Sequence, residues 1–293
     1  MVDRLSLYDR QMPITVRNLV PDFLEFWDQA RAEDEQGQLT LWAEYVERHP
    51  EVIDDFRRSG REPDPRAALG LYPKALELIR ANAEAADGWV HEAAELVAPV
   101  LDARHLELQA VVMVGLGTAN GWVSDFGGRP TLFLAVERIP DATAARILAA
   151  HEFAHAVQLP LPEVPWTDIG PLGQWIYSEG FATALTAELL PEYGLAEHLW
   201  FGDGYDDWLV DCLQVLPAAE SAILSDLESE DDEVVGRYLT RNQGSPFPDR
   251  VGYLVGTRLV QDLRRTHDWP ELARWSTEQA QQEVRRALSR PRC

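Results

Sequence analysis

The segment Ile147-Leu148-Ala149-Ala150-His151-Glu152-Phe153-Ala154-His155-Ala156-Val157 sets two histidines and a glutamate into an otherwise apolar run. Asp141, directly after Pro140, is placed to N-cap a helix, with Thr143 in its first turn. Nothing from Ala142 to Gln158 breaks a helix, and the stretch is rich in alanine. The sequence therefore predicts a helix over 142–158. On that helix His151 and His155 stand one turn apart on the same face, and Glu152 can bring its carboxylate to the same region. Three such groups are costly to bury without a partner. A zinc ion is a suitable partner. It takes neutral imidazoles, lowers the pKa of a bound water to about 7, and leaves the proton to a neighbouring carboxylate. The bare pattern HExxH also recurs on ordinary amphipathic helices. Here the flanks Leu148, Ala149, Phe153, Ala154, Ala156 and Val157 are all uncharged, which suits a buried metal helix better than a surface one.

A hydrolytic zinc takes three protein ligands and keeps a fourth position for water. After a connection containing Pro160, Pro162, Pro165 and Pro171 comes Trp175-Ile-Tyr-Ser-Glu179-Gly-Phe-Ala-Thr-Ala-Leu-Thr186. This predicts a second helix, over 172–189. Glu179 is its one acidic residue between Trp175 and Thr186, among Ile176, Tyr177, Phe181, Ala182 and Leu185. Glu179 is the expected third ligand, with Glu188 and His198 next in line.

HEFAH at 151–155 followed by SEGFA at 178–182 resembles the gluzincin class of zinc metallopeptidases. The nearer resemblance is to a bacterial family described only as a predicted Zn-dependent protease domain of unknown function. Gly252-Tyr253-Leu254-Val255-Gly256 and an N-terminal helical stretch from Phe26-Trp27 through Tyr45 to Phe56 extend the likeness over most of the chain. Aminopeptidase-N-like enzymes carry a similar Glu-Gly-Phe-Ala, usually closer to the HExxH. The resemblance implies a zincin-like fold and one zinc per chain, bound by His151, His155 and Glu179. It further implies Glu152 as general base and a peptide or protein substrate. It also places a Gly-Tyr segment at 252–253, so Tyr253 is the expected oxyanion donor, with Tyr238, His198 and His267 behind it. The glycines at 252 and 256, one helical turn apart, would let that helix approach another closely. One departure is Thr183, four residues after Glu179, where thermolysin-like enzymes carry an aspartate. Beside peptide hydrolysis stand a helical interaction protein with no metal and two further readings. One is a zinc hydrolase of non-peptide amides or esters. The other is a binding protein on a zincin scaffold, against which the retained Glu152 counts.

The remaining sequence bounds these readings. The chain has 293 residues, 46% of them hydrophobic, enough for one large domain or two small ones. A formal charge of −23 disfavours a nucleic-acid partner. Cys212 and Cys293 are the only cysteines and make no disulfide framework. No apolar run reaches the roughly 18 residues of a membrane span, and the N-terminus lacks an apolar signal core. A cytoplasmic protein without a membrane partner is expected; nothing in the sequence sets its oligomeric state.

Residues 14–100 read as helices, at 21–30, 39–48, 50–58, 71–86 and 87–100, within an N-terminal helical region 1–100. Residues 101–293 read as the metallopeptidase domain. Leu106–Gly115 is rich in β-branched residues and predicts a strand. Gly121–Phe126 and Thr131–Val136 flank Gly127-Gly128 and predict a hairpin. The sheet over 106–137 thus directly precedes the zinc helix, and by resemblance its hairpin could pair with substrate backbone. The acidic run Glu228–Glu233 predicts a solvated loop or helix start. Trp122, Trp166 and Trp175 border the motifs, with core packing the first expectation. The fold class is α+β: mostly helical, with a small sheet before the HExxH helix.

Overall fold

The computed structural model describes residues 12–58, 64–115, 117, 119–161, 170–200, 205–240 and 244–290. Its fold is α+β, mostly helical with one small mixed sheet. The strands are β1 (Ile14–Asn18), β2 (Leu108–Met113), β3 (Gly121–Phe126) and β4 (Arg129–Ala135), in the order β1-β2-β4-β3. β1 runs parallel to β2 and β2 parallel to β4, whereas β3 returns antiparallel to β4. β4 is central, and everything in it after Pro130 is buried. The β3–β4 hairpin turns at Gly127 and Gly128, with φ of 64° and 78°. Positive φ at both positions is what a tight two-residue hairpin requires and what glycine adopts without a steric penalty.

The helices are α1 (Val20–Ala30), α2 (Glu35–Arg48), α3 (Pro50–Arg58), α4 (Pro65–Val100), α5 (Ala142–Gln158), α6 (Leu172–Leu189), α7 (Leu195–Trp200), α8 (Tyr205–Asp226), α9 (Asp232–Leu239), α10 (Val251–Leu263), α11 (Trp269–Ala273) and α12 (Thr277–Leu288). Several starts follow from their caps. Asp34, Asp231, Asp268 and Ser276 each accept from a backbone N–H in the first turn of the helix that follows. The acidic run is therefore a helix start at Asp231.

Two expectations are corrected. Residues 14–18 form a strand, not a helix. Ile14, Thr15 and Val16 are β-branched and favour the pleated backbone, but the partner that makes β1 a strand lies at 108–112, far along the chain. The segments 71–86 and 87–100 are one continuous helix, about 54 Å long at 1.5 Å per residue. Asp87-Gly88 looks like a break, but Asp87 instead accepts from Asn18 Nδ2 at 3.2 Å. The same amide also donates to the Ala83 carbonyl.

The described chain divides into two compact units, residues 1–95 with 104–156, and residues 96–103 with 157–293. In the first, α1, α2 and α4 meet around Phe23, Phe26, Trp27, Trp42, Tyr45 and Tyr72, whose rings touch in edge and stacked pairs. Trp122 stacks on Phe133 at 4.8 Å and meets Phe56. It is a core residue, as expected. The second unit is built on α6 and α10. Their approach is set by glycine: a Cβ on Gly256 would stand 2.1 Å from the Ile176 carbonyl oxygen, and one on Gly180 2.2 Å from the Gly256 carbonyl carbon. Backbone meets backbone there, so neither position has room for a side chain.

Candidate metal centre

α5 starts as the sequence predicts, with the Asp141 side chain accepting the Ala144 N–H at 2.8 Å. From Ile147 to Gln158 every residue is buried except His155. On α6, from Ile176 to Thr186, every residue is buried except Glu179. Each helix is thus enclosed nearly all round, and the one partly accessible residue in each stretch is a ligand candidate. An ordinary amphipathic helix would instead expose a whole polar face.

The two imidazoles converge. His151 Nε2 and His155 Nε2 lie 3.1 Å apart, with the ring planes at 82°. His151, His155 and Glu179 form a group whose offered ligand atoms all lie within 4.8 Å of one another. It is the one such group of three or more histidine, cysteine or acidic side chains found among the described residues. Two nitrogens each about 2.0–2.1 Å from one tetrahedral zinc would stand roughly 3.3–3.4 Å apart, close to the observed separation. A bond between two rings sharing one proton would account for the 3.1 Å, but not for a carboxylate gathered to the same place. The donor set therefore fits a cation that accepts nitrogen and oxygen.

Glu152 is 8% exposed. Its side chain lies against the first residue of β3: a Cβ built on Gly121 would stand 2.8 Å from Glu152 Cγ and 3.1 Å from Oε1. β3 terminates the strand order and pairs only with β4 among the described residues. One edge of it is therefore unpaired there.

On α10, Tyr253 is half-buried, and the Arg250 guanidinium lies 4.0 Å from its ring centroid. Arg250 itself caps α10 in the left-handed region, with φ 59°. Tyr253 stands one turn before Gly256, the residue that touches Gly180 next to Glu179. The expected close approach at Gly252 and Gly256 is thus present. The residues held in reserve are engaged elsewhere. Glu188 accepts from Trp269 Nε1 and Arg264. His198 is fully buried with Nε2 on the Leu190 carbonyl. Tyr238 donates to Asp226 at 2.7 Å, and burial pushes its hydroxyl up to about 12. His267 pairs with Glu271 at 2.7 Å. Trp175 donates to the Gly170 carbonyl, while Trp166 lies outside the described residues. Thr183, where thermolysin-like enzymes carry aspartate, is fully buried, and its hydroxyl has no hydrogen-bond partner among the described residues.

Two further residues do not stand out in the sequence. One is Gly121. The other is Glu137, which is buried, with both carboxylate oxygens accepting from the Gly115 N–H at 2.9 Å and Oε1 also from the Gly117 N–H at 2.9 Å. Burial raises its carboxyl above the usual range, and the backbone bonds only partly offset that. The available signal was the glycine-rich run Val114–Gly121 directly after a strand. Such a run marks backbone that must approach something closely.

No protein-family model, no curated protein and no solved structure matches the chain.

Proposed function

We propose that the chain is a zinc-dependent peptidase of the gluzincin type. His151, His155 and Glu179 are the residues that would hold one zinc. The observation that carries this reading is the gathering of those three donors, with Glu152, next to His151, lying against Gly121 at the start of β3, the last strand in the sheet order among the described residues. Zinc, when bound, supplies a Lewis acid that polarises a carbonyl and lowers the pKa of water to about 7. The rest is the work of the chain's own side chains. Glu152, adjacent to a ligand but not one of them, takes the proton from water on its carboxylate and passes it to the leaving amine. Tyr253 is the proposed donor to the oxygen that gains negative charge, a role worth roughly 10²–10³ in kcat. The outer edge of β3 is the proposed seat of the substrate, because an extended peptide can add to an unpaired edge by backbone hydrogen bonds. That edge favours a peptide over a small ester or amide, which has no backbone to pair. Under this reading the partners are peptide or protein substrates. With a charge of −23, nucleic acid is not among them.

Among the described residues no helix is long and apolar enough to cross a membrane. A cytoplasmic location belongs to the same proposal, in keeping with Cys212 as a buried free thiol.

The test is metal analysis of the purified chain together with cleavage profiling on a mixed peptide library. One zinc per chain and cleavage of some peptides are expected. Glu152→Gln should keep the zinc and abolish cleavage. Loss of zinc in that variant would make Glu152 a ligand, and full activity would remove it as the base. Turnover of small esters but no peptide would replace the peptidase by the non-peptide hydrolase.

A further inference from the structure

We propose that Gly121 is a positioning residue: its bare backbone fixes where the Glu152 carboxylate lies. The inference rests on the reading of Glu152 as the base, and it deepens that reading. A Cβ at 121 would meet Glu152 Cγ at 2.8 Å, Cδ at 3.2 Å and Oε1 at 3.1 Å. These are distances at which one side must give way. Which side gives is decided by how firmly each is held.

The strand side is held from both ends. The Asn120 carbonyl accepts the Ala135 N–H at 2.9 Å, and Gly121 is in register with Leu134 on β4. The Asn120 side chain accepts the Gly121 N–H at 3.0 Å. Upstream, the Glu137 carboxylate takes the N–H groups of Gly115 and Gly117 and so anchors the backbone at two points before β3. Glu137 is itself held, because the buried Asn82 Nδ2 donates to the carbonyls of Val136 and Ile139 on either side of its turn, each at 2.8 Å. Buried hydrogen bonds of this kind are costly to break, because a partner left unpaired has also lost its solvation. The backbone at Gly121 is therefore a fixed wall, and Glu152 is the part that must move. A carboxylate displaced from the water it deprotonates loses catalysis steeply, since a misplacement of about 1 Å can cost on the order of 10²-fold.

Gly121→Ala is the test, read by stability and by turnover. Melting temperatures are measured in a double-mutant cycle with Glu152→Ala and, separately, Glu152→Gln. Gly121→Ala should lower the melting temperature both on the wild-type background and combined with Glu152→Gln, because glutamate and glutamine fill the same space. Combined with Glu152→Ala it should not, because that change removes the atoms the new methyl would strike. An equal loss in all three backgrounds overturns the proposal, because the contact would then lie elsewhere. On the peptide selected from the library, Gly121→Ala should lower kcat by about tenfold to 10²-fold, with KM and zinc content near wild type. An unchanged kcat alongside the expected stability coupling also overturns it, since the contact would then not set the base. If wild type cleaves no peptide, the peptidase reading falls, and the stability cycle still decides whether Gly121 places the carboxylate.

Discussion

Glu179 decides whether α5 and α6 carry a metal centre or merely two buried helices. An exposed glutamate replaced by alanine changes stability by within about 0.5 kcal/mol. A ligand so replaced removes one of three protein donors. Glu179→Ala is therefore expected to weaken zinc binding by more than about 10²-fold, beyond the roughly 10–100-fold typical of groups that only support a ligand. Competition with a chromophoric chelator measures it. Glu188→Ala, at a carboxylate already bound to Trp269 and Arg264, should leave zinc affinity unchanged. If the two variants behave alike, Glu179 is no ligand. His151, His155 and Glu179 were legible in the sequence because an i, i+4 pair and an acid amid apolar neighbours are local patterns. Gly121 and Glu137 were not. Their significance is a contact with residues distant in sequence, and nothing in the letters around Gly121 points to Glu152.

The element that brings Glu179 to its place is α6, and α6 is seated by glycine. Gly180 and Gly256 let its backbone touch that of α10, with no side chain between them. In Gly256→Ala the new methyl would lie 2.1 Å from the Ile176 carbonyl oxygen and 3.0 Å from Gly180 Cα. Backbone cannot rotate aside as a side chain does, so the helices must part. Overpacking of this kind costs about 1–3 kcal/mol, or roughly 2–4 °C of melting temperature per kcal/mol. Zinc affinity should fall with it, because the residue beside Gly180 is the proposed ligand Glu179. Gly88→Ala on α4, where a Cβ meets nothing within 4 Å, is the control. It should be neutral or stabilising by up to about 1 kcal/mol. Thermal melts with and without chelator separate the two effects; a Gly256→Ala protein as stable as Gly88→Ala would mean that the close approach is not needed. The helical content was legible from apolar periodicity and the hairpin from Gly127-Gly128. The continuity of α4 was not, because Asn18 makes use of Asp87 where the local sequence suggests a stop. Nor was β1, whose strand identity depends on pairing with 108–112.

Over the whole molecule, acidic residues outnumber basic ones by 49 to 26, so stability against acid turns on which groups take up protons first. Carboxylates with ordinary pKa values titrate near about 4, well below neutrality. Glu137, whose buried carboxyl is raised, takes up its proton more readily folded than unfolded and so opposes acid unfolding, whereas two buried histidines act the other way. His198 is fully buried. Burial lowers its pKa and outweighs the raising influence of the Leu190 carbonyl, Glu197 and Glu192. His49 is lowered as well, by burial first and despite Asp22 at 2.9 Å. The sign follows from linkage. Above an unfolded pKa of about 6.5, both states hold neutral imidazole and there is no pH effect. Below it, the unfolded chain binds a proton that the folded chain refuses, so stability falls as pH drops toward the lower folded pKa. Each such group adds a slope of up to about 1.4 kcal/mol per pH unit within that window. Urea unfolding in the presence of chelator, from about pH 8 to pH 5, should therefore show a flat region and then a decline beginning near about pH 6.5. His198→Gln keeps a donor for the Leu190 carbonyl and has no proton to take up, so its decline should be shallower than wild type over the same range. Parallel curves for the two proteins would mean that His198 accepts its proton in the folded state, and that the chain tolerates a charge at the end of α7.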